Sequence, residues 1–305
     1  MSFRWKEGRD SPSNLRRLAR GQLRAAIAGL AEPLSDPASA VHDTRLRVKR
    51  LRSLLRLVRD AAPAEFRRQN MALRDAARAL AAERDGQAVL ESFDKLLAHA
   101  KREWGAPAAG LRALRQWRDA IVASQRQTSA GAARDERLRQ VTEGLRTALA
   151  ELQDWTAAAK NDKVVVAGFA EGYRRARRAL KVVLEDRSAV HLHEWRKHVK
   201  YHRYQVRLFA RAWPAVLEVR CQELKRLSDL LGDDHDLVLV RQTLEGHAGE
   251  RHEGFAGLRD LLQRRRGELQ AEALPLGRLL FAEKPRRLTR RFRQYWRVYR
   301  ESAVH

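Results

Sequence analysis

The sequence predicts an all-α protein built of two pseudo-symmetric helical bundles, related by an internal duplication and set around a central basic groove or pore. Three observations carry that expectation. Apolar residues recur at helical spacing through almost all of the 305 residues, and VVV at 164–166, the main strand-like run, leads straight into a helical pattern. A shift of 151 residues, His42 onto His193, lays the chain over itself without a gap. Lys and Arg number 62 against 38 acids, a formal charge of +24, and part of that excess falls into two matching rows.

The elements follow in order. Helices are expected near 13–31, 40–60, 64–83, 85–104, 108–128 and 134–155, then near 164–185, 189–212, 214–232, 235–247, 253–282 and 284–301. Pro, Gly and short polar runs mark the breaks: EPLSDP at 32–37, AAP at 61–63, GAP at 105–107, AAAKND at 157–162, Pro214, the Gly232 region, Pro275 and Pro285. The halves divide near residue 160, giving 1–160 and 161–305.

Under the 151-residue shift His42, Arg45, Lys49, Arg52 and Arg56 meet His193, Arg196, Lys200, Arg203 and Arg207, each an identical pair. The same register brings Leu73 to Leu224, Arg74 to Lys225, Leu80 to Leu231, Asp85 to Asp236 and Val89 to Val240. One ungapped offset kept over so long a stretch implies duplication. The basic row is kept better than the core, since Leu51 meets His202 and Leu54 meets Gln205.

On a helix the first row falls within a sector of about 80°, opposite Val48, Leu51, Leu54, Leu55 and Val58. A merely solvated face normally interleaves acids at i,i+4 to gain ion pairs. This row has none, and its duplicate repeats it while most surrounding residues change. Rows of uncompensated Arg and Lys suit a polyanion, Arg through forked donors and Lys through a compact charge. The row is about 21 Å long at 1.5 Å per residue, and two such rows about a pseudo-twofold axis would line a groove from both sides. A linear, densely charged polymer fits that shape. The His at the head of each row would protonate more readily beside phosphate.

The segments VHDTRLRVKRLRSLLRL and LHEWRKHVKYHRYQVRLF resemble the two signature helices of the CHAD family, the conserved-histidine α-helical domain. LKRLSDLLGDDHDL (224–237) resembles its Leu- and Asp-bearing segment, with ALRDAARALAAERD (72–85) the weaker counterpart. The resemblance implies two helical bundles around a basic pore, binding of inorganic polyphosphate, and residence on polyphosphate granules. It implies His42, Arg45, Lys49, Arg52, His193, Arg196, Lys200 and Arg203 as binding residues; the row itself adds Arg56 and Arg207, with Arg74 and Lys225 as secondary anion contacts. The chain departs from the family pattern at Tyr201 and His202, and at Ala81 where the second half has Gly232.

Asp85 and Asp236 either orient a cation of the row or cap a helix N-terminus. His198 and His202 stand at i,i+4, a spacing that can chelate a metal, but they have no counterpart in the first half and no carboxylate completes a zinc motif. No metal or cofactor is expected. In the C-terminal KPRRLTRRFRQYWRVYRES, Phe292, Tyr295, Trp296 and Tyr299 read as core; Arg286, Arg290, Arg293, Arg297 and Arg300 either extend the anion surface or are solvated.

Cys221, the only cysteine, excludes an intramolecular disulfide. The N-terminus is polar and lacks the apolar stretch of a signal peptide, and no apolar run approaches the ~18 residues of a membrane span. A cytoplasmic protein is expected. No Walker loop, dinucleotide glycine fingerprint or Ser-His-Asp arrangement is present, so a non-enzymatic binding role is expected. Nucleic acid, RNA above all, is the alternative partner, although the rows carry no base-stacking residues.

Overall fold

The structure, a computed structural model, describes residues 3–31, 37–80, 82–105, 111–112, 114–119, 122, 131–248 and 255–302. It is 87% helix, with no strand among the described residues, which settles the all-α class. The helices are α1 (Ser11–Ala31), α2 (Pro37–Leu55), α3 (Pro63–Ala79), α4 (Ala82–Arg102), α5 (Gly131–Ala150), α6 (Leu152–Thr156), α7 (Asp162–Glu185), α8 (Ala189–Leu208), α9 (Pro214–Ala248), α10 (Phe255–Leu280) and α11 (Pro285–Ser302). The helix expected near 108–128 lies mostly outside the described residues, although 114–119 are helical.

Several ends match their local chemistry. Asn161 caps α7 by accepting from the Lys163 and Val164 amides at 3.0 and 3.3 Å. Pro63, Pro214 and Pro285 open helices, where a missing amide proton costs nothing. Two expected breaks are absent. α9 runs unbroken through Gly232, and α10 through Pro275. Gly232 serves as a notch: a Cβ there would stand 3.2 Å from the Arg196 guanidinium. Beyond Pro275, Gly277 lies against Trp195, where a Cβ would fall 2.5 Å from the indole. Tertiary packing thus outweighs the helix-breaking tendency of both residues. α2 is shorter than expected, ending at Leu55 with turns over 56–60.

One large core draws on α1, α2, α7, α8, the first part of α9 and α11. A smaller one joins Phe93 and Leu96 of α4 to Val240 and Leu244 of α9 and Leu258 and Leu262 of α10. In the large core Phe292, Trp296 and Tyr299 of α11 are buried as the sequence predicts, while Tyr295 lies partly exposed beside Trp213. Phe292 stacks on Phe169 at 3.9 Å. Trp5 closes the assembly: its amide donates to the Leu208 carbonyl at 3.0 Å and its ring meets Phe209 and Trp296. α2 and α8 are bolted together by Ser53 Oγ, which donates to the Tyr201 carbonyl at 3.1 Å.

Candidate functional site

The packing that buries Leu51, Leu54 and Leu55 of α2 and Trp195, Val199 and Val206 of α8 leaves each helix's cation row on the remaining face. The contact between α2 and α8 then brings the rows side by side. Lys49 of α2 lies within electrostatic reach of Lys200, which Arg196 and Arg203 flank on its own helix. Burial first, then these three cations, push the Lys200 ammonium well below its ordinary pKa, and Asp236 opposes the shift.

Several of the row's cations touch neutral groups. Arg52 Nε donates to Asn70 Oδ1 at 3.2 Å. Arg45 donates to the Leu80 carbonyl at 3.1 Å, at the C-terminal end of α3. Arg203 lies over the Tyr204 ring at 4.8 Å. Neutral acceptors and rings fix a guanidinium in place without cancelling its charge. Elsewhere the surface arginines find acids, as in Arg139–Glu136 at 2.9 Å and Arg146–Glu143 at 3.2 Å. Lys200, Arg203 and Arg207 form no close ion pair with any acid among the described residues. Such a surface can take up a multivalent anion through charge-assisted hydrogen bonds.

The family model for the CHAD domain matches residues 17–245. The chain belongs to the CHAD family. The crystal structure of the CHAD domain from the plant Ricinus communis has the same fold: TM-score 0.56 at 19% identity, over 93% of this chain and 94% of that one. No curated protein matches the chain. The matched CHAD segment holds both rows and ends within α9, so α10 and α11 lie beyond it.

Within the CHAD chain the other predicted residues separate. His42 is exposed on α2, and His193 is partly buried on α8. Arg56 lies in the turn after α2, where it donates to the Arg52 carbonyl at 2.7 Å and stacks on Tyr201 at 3.7 Å. Burial lowers its pKa to about 10. Arg207 is exposed and shares a cleft of about 270 Å³ with Arg4, Arg203, Glu218, Cys221 and Lys225. Lys225 pairs there with Asp229 at 2.7 Å. Arg74 binds Asp75 at 2.9 Å, an exposed carboxyl held below its ordinary range by Arg74 first, with Arg78 and Arg52 adding to it.

Asp236 sits in mid-helix, which rules out the capping role. It faces Arg196 and Lys200, and burial still raises its pKa. Asp85 lies in the first turn of α4, with its side chain outside the described residues. His202 is fully buried among Phe169, Tyr173 and Phe281. It is a core residue, whereas His198 lines a separate crevice with Arg175, Arg178 and His191.

Sequence reasoning missed His235. Its ring centroid lies 4.3 Å from that of His193, the planes tilted by 41°, across the α8–α9 contact. Its place beside the duplicated Asp236, in the polar run DDHD, was the available signal.

Proposed function

We propose that this protein binds inorganic polyphosphate without processing it. The phosphate chain lies along the rows of α2 and α8, which flank a central basic groove inherited from the duplication. His42, Arg45, Lys49 and Arg52 contribute from one side, and His193, Arg196, Lys200, Arg203 and Arg207 from the other. Arg56 braces the first row against Tyr201, and Lys225 flanks the Arg203–Arg207 end. The observation that carries this reading is the placing of Lys200 among Arg196, Arg203 and Lys49. Desolvated like charges repel, and a chain of phosphates is a ligand that reverses the sign. The family is linked in general to polyphosphate binding. The cellular setting proposed with it is the cytoplasm, at polyphosphate granules.

The test titrates the full chain with long-chain polyphosphate, short-chain polyphosphate and RNA of matched charge, at ~0.15 M salt to suppress loose association. The comparison protein carries Arg45→Ala, Lys49→Ala, Arg196→Ala and Lys200→Ala. Preference for the long chain, lost in the variant, is the expected result. Tighter RNA binding that the variant leaves intact would make this a nucleic-acid protein. Shortening of the polymer on incubation with Mg²⁺ would overturn the non-enzymatic part.

A further inference from the structure

His235 and His193 come from different helices and meet ring against ring, with centroids 4.3 Å apart and the planes tilted by 41°. Gly232, one turn before His235, leaves the notch that lets Arg196 lie against α9. His193 Nδ1 is buried without a hydrogen-bond partner. Two imidazoles, a guanidinium and the Lys200 ammonium are therefore gathered where α8 meets α9.

We infer that His235 is a second imidazole of the anion site, and that a phosphate chain binds there, beside Lys200, together with protons drawn from solvent by His193 and His235. The inference rests on the proposed polyphosphate site.

The charges facing these groups are mostly cationic. His235 faces His193, Arg196 and Lys200 of α8 and Arg266 of α10; Asp234 holds that arginine through contacts of 3.0 and 3.4 Å. His193 faces Lys197, Arg196 and Lys200, with Glu194 opposing them. Lys200 faces Arg196, Arg203 and, from α2, Lys49, with Asp236 of α9 opposing. From α4, Lys95 reaches Asp233 at 2.7 Å and adds to the field at Asp236.

In the free protein burial and these cations favour the neutral forms. His235 is lowered to about 3, and His193 lies below its ordinary value, in each case with burial the largest cause. Lys200 is depressed by the same causes. A neutral imidazole has one donor and one acceptor, and the acceptor repels phosphate oxygens; the protonated ring donates from both nitrogens. A bound polyanion raises the pKa values of both imidazoles, so the complex holds more protons than its separated parts. Affinity must then rise as pH falls, by about tenfold per pH unit for each proton taken up.

The experiment is calorimetric titration of the full chain with long-chain inorganic polyphosphate, at one pH near 6.5, in buffers of different ionisation heat. Internal phosphates do not titrate near neutrality, so the protons counted belong to the protein. Net uptake is expected in the wild type. His235→Gln and His193→Gln should each lower it with helix content retained. Arg207→Gln should weaken binding while keeping the wild-type uptake. Tight binding with no uptake by the wild type, or the same uptake in both histidine variants, overturns the inference and leaves the polyphosphate reading standing. Absence of binding at that pH overturns both.

Discussion

Lys200→Met separates the cost of the site from its use. Methionine keeps an unbranched stem and drops the charge. Lys200 is desolvated beside Arg196, Lys49 and Arg203, with Asp236 opposing. At an effective dielectric of about 20, one like charge about 7 Å away costs roughly 2 kcal/mol before relaxation. Three cations against one acid leave a net repulsion, which solvent and partial loss of the lysine proton reduce. A gain of about 1–2 kcal/mol on removing the charge is reasonable. That raises Tm by about 2–4 °C for a chain of this size. Binding moves the other way. Losing one charge-assisted contact costs about 1.5 kcal/mol, roughly tenfold in polyphosphate affinity, and flattens the log–log salt dependence by about 0.7. The pH dependence has a fixed sign. The folded-state pKa of Lys200 lies below the unfolded value of about 10.4. Between the two values the unfolded chain binds more protons, so wild-type stability rises with pH. The methionine variant's advantage is therefore full below the folded-state value and narrows above it. Thermal melts across pH 7–10, paired with polyphosphate titrations, read both effects. A lower Tm with unchanged affinity would refute the reasoning and leave Lys200 as a packing residue.

Two further substitutions test how the site is supported. Arg56→Leu removes the guanidinium stacked on Tyr201 at 3.7 Å; about 1–2 kcal/mol of stability should go, visible in melts, with less than about threefold change in polyphosphate affinity. Heavy loss of affinity at unchanged Tm would instead make Arg56 a direct contact. Gly277→Ala drives a Cβ to 2.5 Å from the Trp195 indole and should cost about 1–3 kcal/mol. Gly267→Ala in the same helix meets nothing within 4 Å and should stabilise by up to about 1 kcal/mol. Equal melting points for the two alanine variants would sink the packing argument.

Helical periodicity made the all-α class and most helices legible, because an apolar stripe every 3.6 residues is written locally. The cation rows were legible for the same reason, and so were Phe292, Trp296 and Tyr299. What failed depended on partners far along the chain. Gly232 looks like a break until Arg196 lies over it, and Pro275 until the helix beyond it packs on Trp195. The expected helix to residue 60 ends at Leu55 instead, and Arg56, just past that end, lies over the Tyr201 ring. His235 carries no periodic signal. It joins His193 only because α8 and α9 pack together.

The two rows cannot relieve their repulsion by moving apart. Ser53 bonds the Tyr201 backbone, and the Gln205 amide donates to the Ser53 carbonyl at 3.4 Å, so α2 and α8 are tied by groups that carry no charge. Around this joint the core is continuous from Leu51 and Leu54 to Val199 and Val206. Acids oppose part of the repulsion: Asp236, Asp233 and Asp229 face Arg196, and Asp236 also faces Lys200, although burial opposes the ionisation of Asp236 itself. Two routes remain. The cluster can favour neutral forms, the direction in which burial and the neighbouring cations push Lys200, His193 and His235, or it can admit an external anion. These routes compete, because an anion favours the charged forms that the empty site disfavours. If the proposed anion site holds, a rigid joint with electrostatic conflict on one side would couple anion binding to protonation through geometry alone, without requiring the helices to move.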